Sequence, residues 1–156
     1  MRITIVAVGQ RQPVWADQAV ADYLERLPAE LKVEVKPVKS EPRSNNASTT
    51  RLLSAEAVRI RAAIPSGSTL VALDERGKDW TTMQFAEHLR RWRDEAQDVA
   101  FAIGGADGLD HTVKAGSSFL LRLSSMTLPH ALVRVVLAEQ LYRAWSVLSG
   151  HPYHRG

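Results

Sequence analysis

No cysteine occurs in the 156 residues, which excludes a disulfide framework, thiolate metal sites and cysteine nucleophiles. That absence suits a reducing compartment, and the cytoplasm is the expected location. No apolar run approaches the ~20 residues that span a bilayer, and the first residues lack the basic patch, apolar stretch and small-residue cleavage site of a secretory signal. A membrane is therefore not an expected partner. Internal repeats, low-complexity tracts and linkers are missing too, so residues 1–156 are read as one domain.

The common nucleotide and hydrolase motifs are also missing. The first strand is followed by Gly9 alone, not by a G-x-G-x-x-G fingerprint, and no G-K-[ST] follows the glycines near residue 104. Rossmann dinucleotide binding and P-loop hydrolysis are both disfavoured. Ala115-Gly116-Ser117-Ser118 does not form a G-x-S-x-G nucleophile elbow. His130, His151 and His154 have no neighbouring carboxylate and no His-Glu-x-x-His spacing, so no metal is expected.

What is present alternates between β-rich runs and stretches of helical period, the pattern of an α/β fold with a mostly parallel sheet covered by helices. Strands are expected at Arg2–Val8, Leu31–Val38, Thr69–Leu73, Val99–Ile103 and Phe119–Leu123. Between them the first helix should begin at Pro13 and bury Trp15, Ala19, Tyr23, Leu24 and Leu27. A second should run from Thr50 to Ile64, and a third from a Thr81 or Thr82 cap to Ala96. The last should start with Pro129 at its first turn and reach Leu148, with Gly150 stopping it. The breaker-rich stretch from Lys39 to Thr49, with Asn45 and Asn46, reads as an exposed loop.

In open α/β sheets ligands collect at the carboxyl ends of strands. Three segments fall there: Leu73 to Lys78, Gly104-Gly105-Ala106-Asp107-Gly108, and Ser124 to Leu128. Glycines at such places admit positive φ and let a ligand approach bare backbone, whose N–H and C=O groups can read a base edge. Charge is uneven as well. Residues 111–156 hold Lys114, Arg122, Arg134, Arg143 and Arg155 against Glu139 alone, a net +4, which leaves −1 for the rest of the chain. Clustered cations point to an anionic partner. The ending His151-Pro152-Tyr153-His154-Arg155 adds forked guanidinium donors and a stacking face, a combination suited to phosphates and a nucleobase. Glu139 and Arg143, four residues apart, read only as helix support.

Together Leu73-Asp74 with Gly77-Lys78, Gly104-Gly105 with Gly108-Leu109, Thr127-Leu128-Pro129-His130, and Leu141 to Ser146 with His151 to Arg155 resemble the RlmH family over the whole chain. One departure is Ala106, where many members carry proline. The resemblance implies a SPOUT-type fold with a C-terminal trefoil knot, which no spacing could reveal. It implies an S-adenosylmethionine-dependent methyltransferase acting on N3 of a pseudouridine in 23S rRNA of the assembled ribosome, working as a homodimer, with no DNA partner and no metal. By the same carry-over Leu73, Gly104, Leu123, Ser124, Ser125, Met126, Thr127 and Leu128 hold the bent methyl donor, largely through backbone. His130 or His154 handles the N3 proton, Arg155 stabilises charge on the base and Tyr153 positions it. Two other classes stay open: a ribosome-binding module that has lost catalysis, and a small-molecule-binding α/β domain unrelated to RNA.

Overall fold

Alternate residues of a strand face opposite sides of a sheet, and here both sides are apolar, as a sheet covered on both faces requires. The computed structural model describes residues 1–43 and 48–155. In chain order it contains β1 (Arg2–Val8), α1 (Val14–Glu25), β2 (Lys32–Val38), α2 (Thr49–Ala63), β3 (Thr69–Asp79), α3 (Thr82–Asp94), β4 (Val99–Ile103), α4 (His111–Ala115), β5 (Phe119–Arg122) and α5 (His130–Ser149). A 3-10 turn, Pro152–Arg155, ends the described chain. Five strands pair in the order β2-β1-β4-β3-β5, all parallel. Ile3, Ile5, Val71, Val99, Phe101 and Leu121 pack with α3 and α5 on one face. Val6, Val8, Ala72 and Ala102 pack with Ala57 and Ile60 of α2 and Val113 of α4 on the other.

Helix boundaries follow local chemistry. Ser48 caps α2 by accepting from the Arg51 N–H, and Thr81 caps α3 in a reciprocal box with Gln84. Pro13 and Pro129 are the capping residues of α1 and α5, one position earlier than the sequence reading set them. Gly150, at φ 75°, ends α5 in the left-handed conformation that suits glycine. Asn45 and Asn46 of the expected loop lie outside the described residues.

Two expectations need correction. The inner stripe of α1 is carried by Ala16 and Val20, while Trp15 is 52% exposed. The α1 contact surface is α5, not the sheet, so the stripe is narrow and admits small residues. Leu73 to Lys78 is not a loop beyond β3. The strand continues to Asp79, and Leu121 of β5 pairs with both Leu73 and Lys78. Residues 74–77 are the excess, bulged out of the ladder. A Cβ on Gly77 would sit 2.8 Å from the Leu120 and Leu121 backbone, so the chain re-enters the ladder there only because glycine has none.

Candidate active site

The bulge, the Gly104 turn and the segment after β5 all open at the carboxyl edge of the sheet, where they enclose a cavity of about 620 Å³. A Cβ on Gly104 would lie 2.4 Å from the carbonyl carbon and oxygen of Gly108, closer than any side chain allows. The turn is closed by the Gly108 N–H donating to the Gly105 carbonyl at 3.1 Å, with Gly108 at φ 81°. Main chain therefore forms this wall of the cavity. On the opposite wall the Ser124 hydroxyl accepts from the Met126 N–H at 2.9 Å, bending the segment that leads into α5. Met126 is 77% exposed at the mouth.

Of the eight residues expected to hold a methyl donor, Leu73, Gly104, Leu123, Ser124, Met126, Thr127 and Leu128 line this cavity, and His130 stands at its rim. Ser125 does not line it. Lys114 and Arg122, which the sequence showed only as part of a charge excess, also face the cavity. Lys114 lies 3.7 Å from the Asp74 carboxylate on the bulge. Arg122 grips Asp79 with two bonds of 2.7 and 2.6 Å, which hold the aspartate below its ordinary pKa and raise that of the arginine. These pairs brace the bulge against α4 and β5. Ile103, Leu109, Leu121 and Val133 add apolar side chains to the lining, and Glu75, Arg76 and Asp107 add charged ones. A pocket that mixes apolar side chains, charged groups and bare backbone suits a nucleoside with a polar tail.

Arg134, one turn into α5 from His130, is 5% exposed, and its Nη2 donates to the carbonyls of Val8 and Gly9 at 3.0 and 2.6 Å. Burial lowers its pKa, and the charge of Asp17 opposes that shift. This cation ties the carboxyl end of β1 to the first turn of α5. It was legible as a basic residue near His130 but not as a buried one, since its acceptors are distant in sequence.

Tyr153, His154 and Arg155 are not at this cavity. Twenty helical residues rise about 30 Å, and α5 separates the cavity at its first turn from the ending at its last. The ending folds back on α5 and α1 of its own chain. The Tyr153 hydroxyl donates to Glu139 at 3.2 Å, its ring meets Tyr142 at 4.6 Å, and the Arg143 guanidinium stands 4.9 Å from its centre. Burial, with bonding to Tyr23 and Glu139, pushes the Tyr153 pKa up to about 12. Glu139 thus holds the ending as well as Arg143, a role that helix spacing alone did not suggest. The Nδ1 of His154 is buried without a hydrogen-bond partner. Among the described residues no three His, Asp or Glu side chains gather as metal ligands, and no helix is long and apolar enough to cross a membrane.

Residues 1–154 match the family model described as predicted SPOUT methyltransferase. The chain belongs to the SPOUT methyltransferase family. Among its curated relatives is the ribosomal RNA large subunit methyltransferase H of Burkholderia cenocepacia strain HI2424, 54% identical over 155 residues that cover 99% of each chain. Relatives of the same name from Burkholderia vietnamiensis and Burkholderia multivorans match at the same identity and coverage. Among solved structures, a probable methylase family protein from Haemophilus influenzae is similar with a TM-score of 0.57 and 15% identity, covering 97% of this chain and 69% of that one. That likeness concerns the fold. As a SPOUT methyltransferase, the chain is an enzyme of α/β fold.

Proposed function

We propose that this methyltransferase modifies RNA of the large ribosomal subunit, taking a methyl group from S-adenosylmethionine held in the cavity beyond β3, β4 and β5 and placing it on N3 of a 23S pseudouridine. The carrying observation is the main-chain wall: Gly104 packs so closely on Gly108 that only backbone faces the ligand there. S-adenosylmethionine, when bound, supplies an electrophilic methyl carbon on a sulfonium. Leu73, Gly104 and the Leu123–Leu128 segment orient it. His130, which lines the cavity, meets the incoming base in this reading.

The protein acts as a homodimer in which the ending of one protomer closes the cavity of the other. Support comes from the length of α5, because Tyr153, His154 and Arg155 cannot reach the cavity of their own chain. In that arrangement Arg155 stabilises negative charge on the base, Tyr153 positions it, and His154 or His130 receives the N3 proton. Threading of the C-terminal segment into a trefoil belongs to the same reading. The site of action is the assembled ribosome in the cytoplasm.

The test is transfer of labelled methyl groups from S-adenosylmethionine to ribosomes that lack the modification. Label at N3 of a single 23S pseudouridine is expected; no label, or label on another base, overturns the reading. His154→Ala should lower turnover by about 10²–10⁴ if that imidazole moves the proton, and an unchanged turnover number removes it from the mechanism.

A further inference from the structure

A second cavity, of about 630 Å³, lies beside the first at the carboxyl ends of β1 and β2. Both cavities share Gly105, Ala106, Asp107 and His130 as lining, so one turn of chain is all that separates them. We propose that this second cavity holds a nucleotide of the RNA strand next to the target base, with Arg11 and Lys39 on its phosphates and Gln12 on its base edge. The inference rests on the RNA-methyltransferase reading above and extends it to a site outside the donor pocket.

Charge carries the first part of the argument. Three acids line the cavity, and each is already engaged: Asp107 with Arg43 at 2.5 Å, Glu41 with Arg59 at 2.6 Å, and Glu56 with the Glu41 N–H at 2.9 Å. Arg11 and Lys39 line it too and have no ion-pair partner among the described residues. The backbone N–H leaves the charge of Glu56 in place, so Arg11 and Lys39 give the cavity an excess of one positive charge, with two unpaired cations to meet phosphates. Gln12 carries the second part. Its Nε2 donates to the Arg11 carbonyl at 3.0 Å, while its buried Oε1 has no partner. A buried acceptor left open is costly, which favours turning the amide toward the cavity, where an imide N–H or exocyclic amine of a base supplies the missing donor.

Geometry supplies the third. A methyl acceptor must come within about 3–3.5 Å of the carbon it attacks, so a base at the shared rim of the donor pocket leaves its neighbours at the second cavity. Arg134 fixes that rim by holding the Val8 and Gly9 carbonyls. The volume falls in the range of small-ligand sites, roughly 300–1,000 Å³. A flat basic patch would attract RNA without discrimination; a cavity with an oriented amide has room for one strand in one register.

The experiment uses the full-length protein carrying Arg11→Ala and Lys39→Ala together. Its affinity for S-adenosylmethionine should equal that of the wild type by calorimetry, which also shows that the fold is intact. Its affinity for unmethylated ribosomes should fall about tenfold or more at low salt, and the slope of log affinity against log salt should become shallower by about 1.4, the value for two single-strand phosphate contacts. Arg93→Ala, remote on α3, should change neither. A double variant with unaltered slope overturns the proposal. A photoreactive residue in place of Gln12 should cross-link to 23S rRNA beside the methylated position, and cross-linking only to ribosomal protein also overturns it. Failure of the wild type to methylate ribosomes would instead strike the parent reading, so the two failures are distinguishable.

Discussion

The two ends of α5 are built from different materials. At its first turn the cavity has a wall of main chain, with Gly104 where a Cβ would collide and side chains around it. At its last turn the aromatic and basic ending is made of side chains, Tyr153 held by Glu139 and flanked by Arg143 and Tyr142. A backbone wall is rigid because the fold fixes it, so it can be shaped for a constant ligand such as a methyl donor. A side-chain cluster on a terminal turn is anchored by a few bonds and can exchange those bonds for contacts with a partner or a substrate. About 30 Å of helix lies between them, the distance that the proposed dimer would bridge.

The largest effect should come from the backbone end. Gly104→Val places a branched side chain where even a Cβ meets Gly108 at 2.4 Å. Donor binding should be lost altogether by calorimetry, with roughly 1–3 kcal/mol of folding stability from the overpacked turn. Retained binding would show that the wall is not main chain. Next, Gly104→Val and His154→Ala protomers, each inactive alone, should complement when mixed through unfolding and refolding. Random pairing in a two-fold dimer with composite sites restores about a quarter of wild-type activity. If activity stays at the level of the single variants, each ending serves its own chain and the contrast between the two ends loses its functional meaning.

Arg134→Met keeps the stem but leaves the Val8 and Gly9 carbonyls without their donor. It should cost about 1–3 kcal/mol in urea unfolding and lower the melting temperature by several degrees, each kcal/mol being worth roughly 2–4 °C for a chain of this size. A smaller loss would mean that water replaces the guanidinium. At the other end, Tyr153 has a folded pKa of about 12, above its ordinary value of about 10. The folded state favours the neutral phenol. The stabilisation is therefore complete below pH ~10 and falls away as pH rises through 12. Ultraviolet titration of the phenolate should show one delayed tyrosine that disappears in Tyr153→Phe. The smallest effect belongs to Arg122→Gln. Its pairing with Asp79 is partly exposed, so the urea midpoint should move only slightly, and less still in high salt.

Legibility differed between the ends for a physical reason. Period-two and period-3.6 patterns exposed β1 and β4 to the residue, and α2, α3 and α5 to within two at either end, because burial of one face leaves a local mark. Gly104, Gly108 and Pro129 marked the cavity turns in the same local way. Trp15 misled, since the same spacing rule cannot say whether a helix rests on a sheet or on another helix. The 74–77 bulge was hidden because it is defined by pairing with Leu121, far along the chain. Glu139 looked like half of a helix pair until the ending folded onto it.

Sequence alone determined the alternating α/β order, the glycines that keep one wall of the cavity bare, the C-terminal excess of cations and the family resemblance. All of these are properties of neighbouring residues or of composition. Tertiary structure decided that seven of eight expected donor contacts share one cavity, that Arg134 is buried on distant carbonyls, that a second cavity adjoins the first, and that the ending lies at the opposite end of α5 from the first cavity. Such facts depend on which remote segments meet, and that is set by how sheet and helices pack, not by any spacing along the chain.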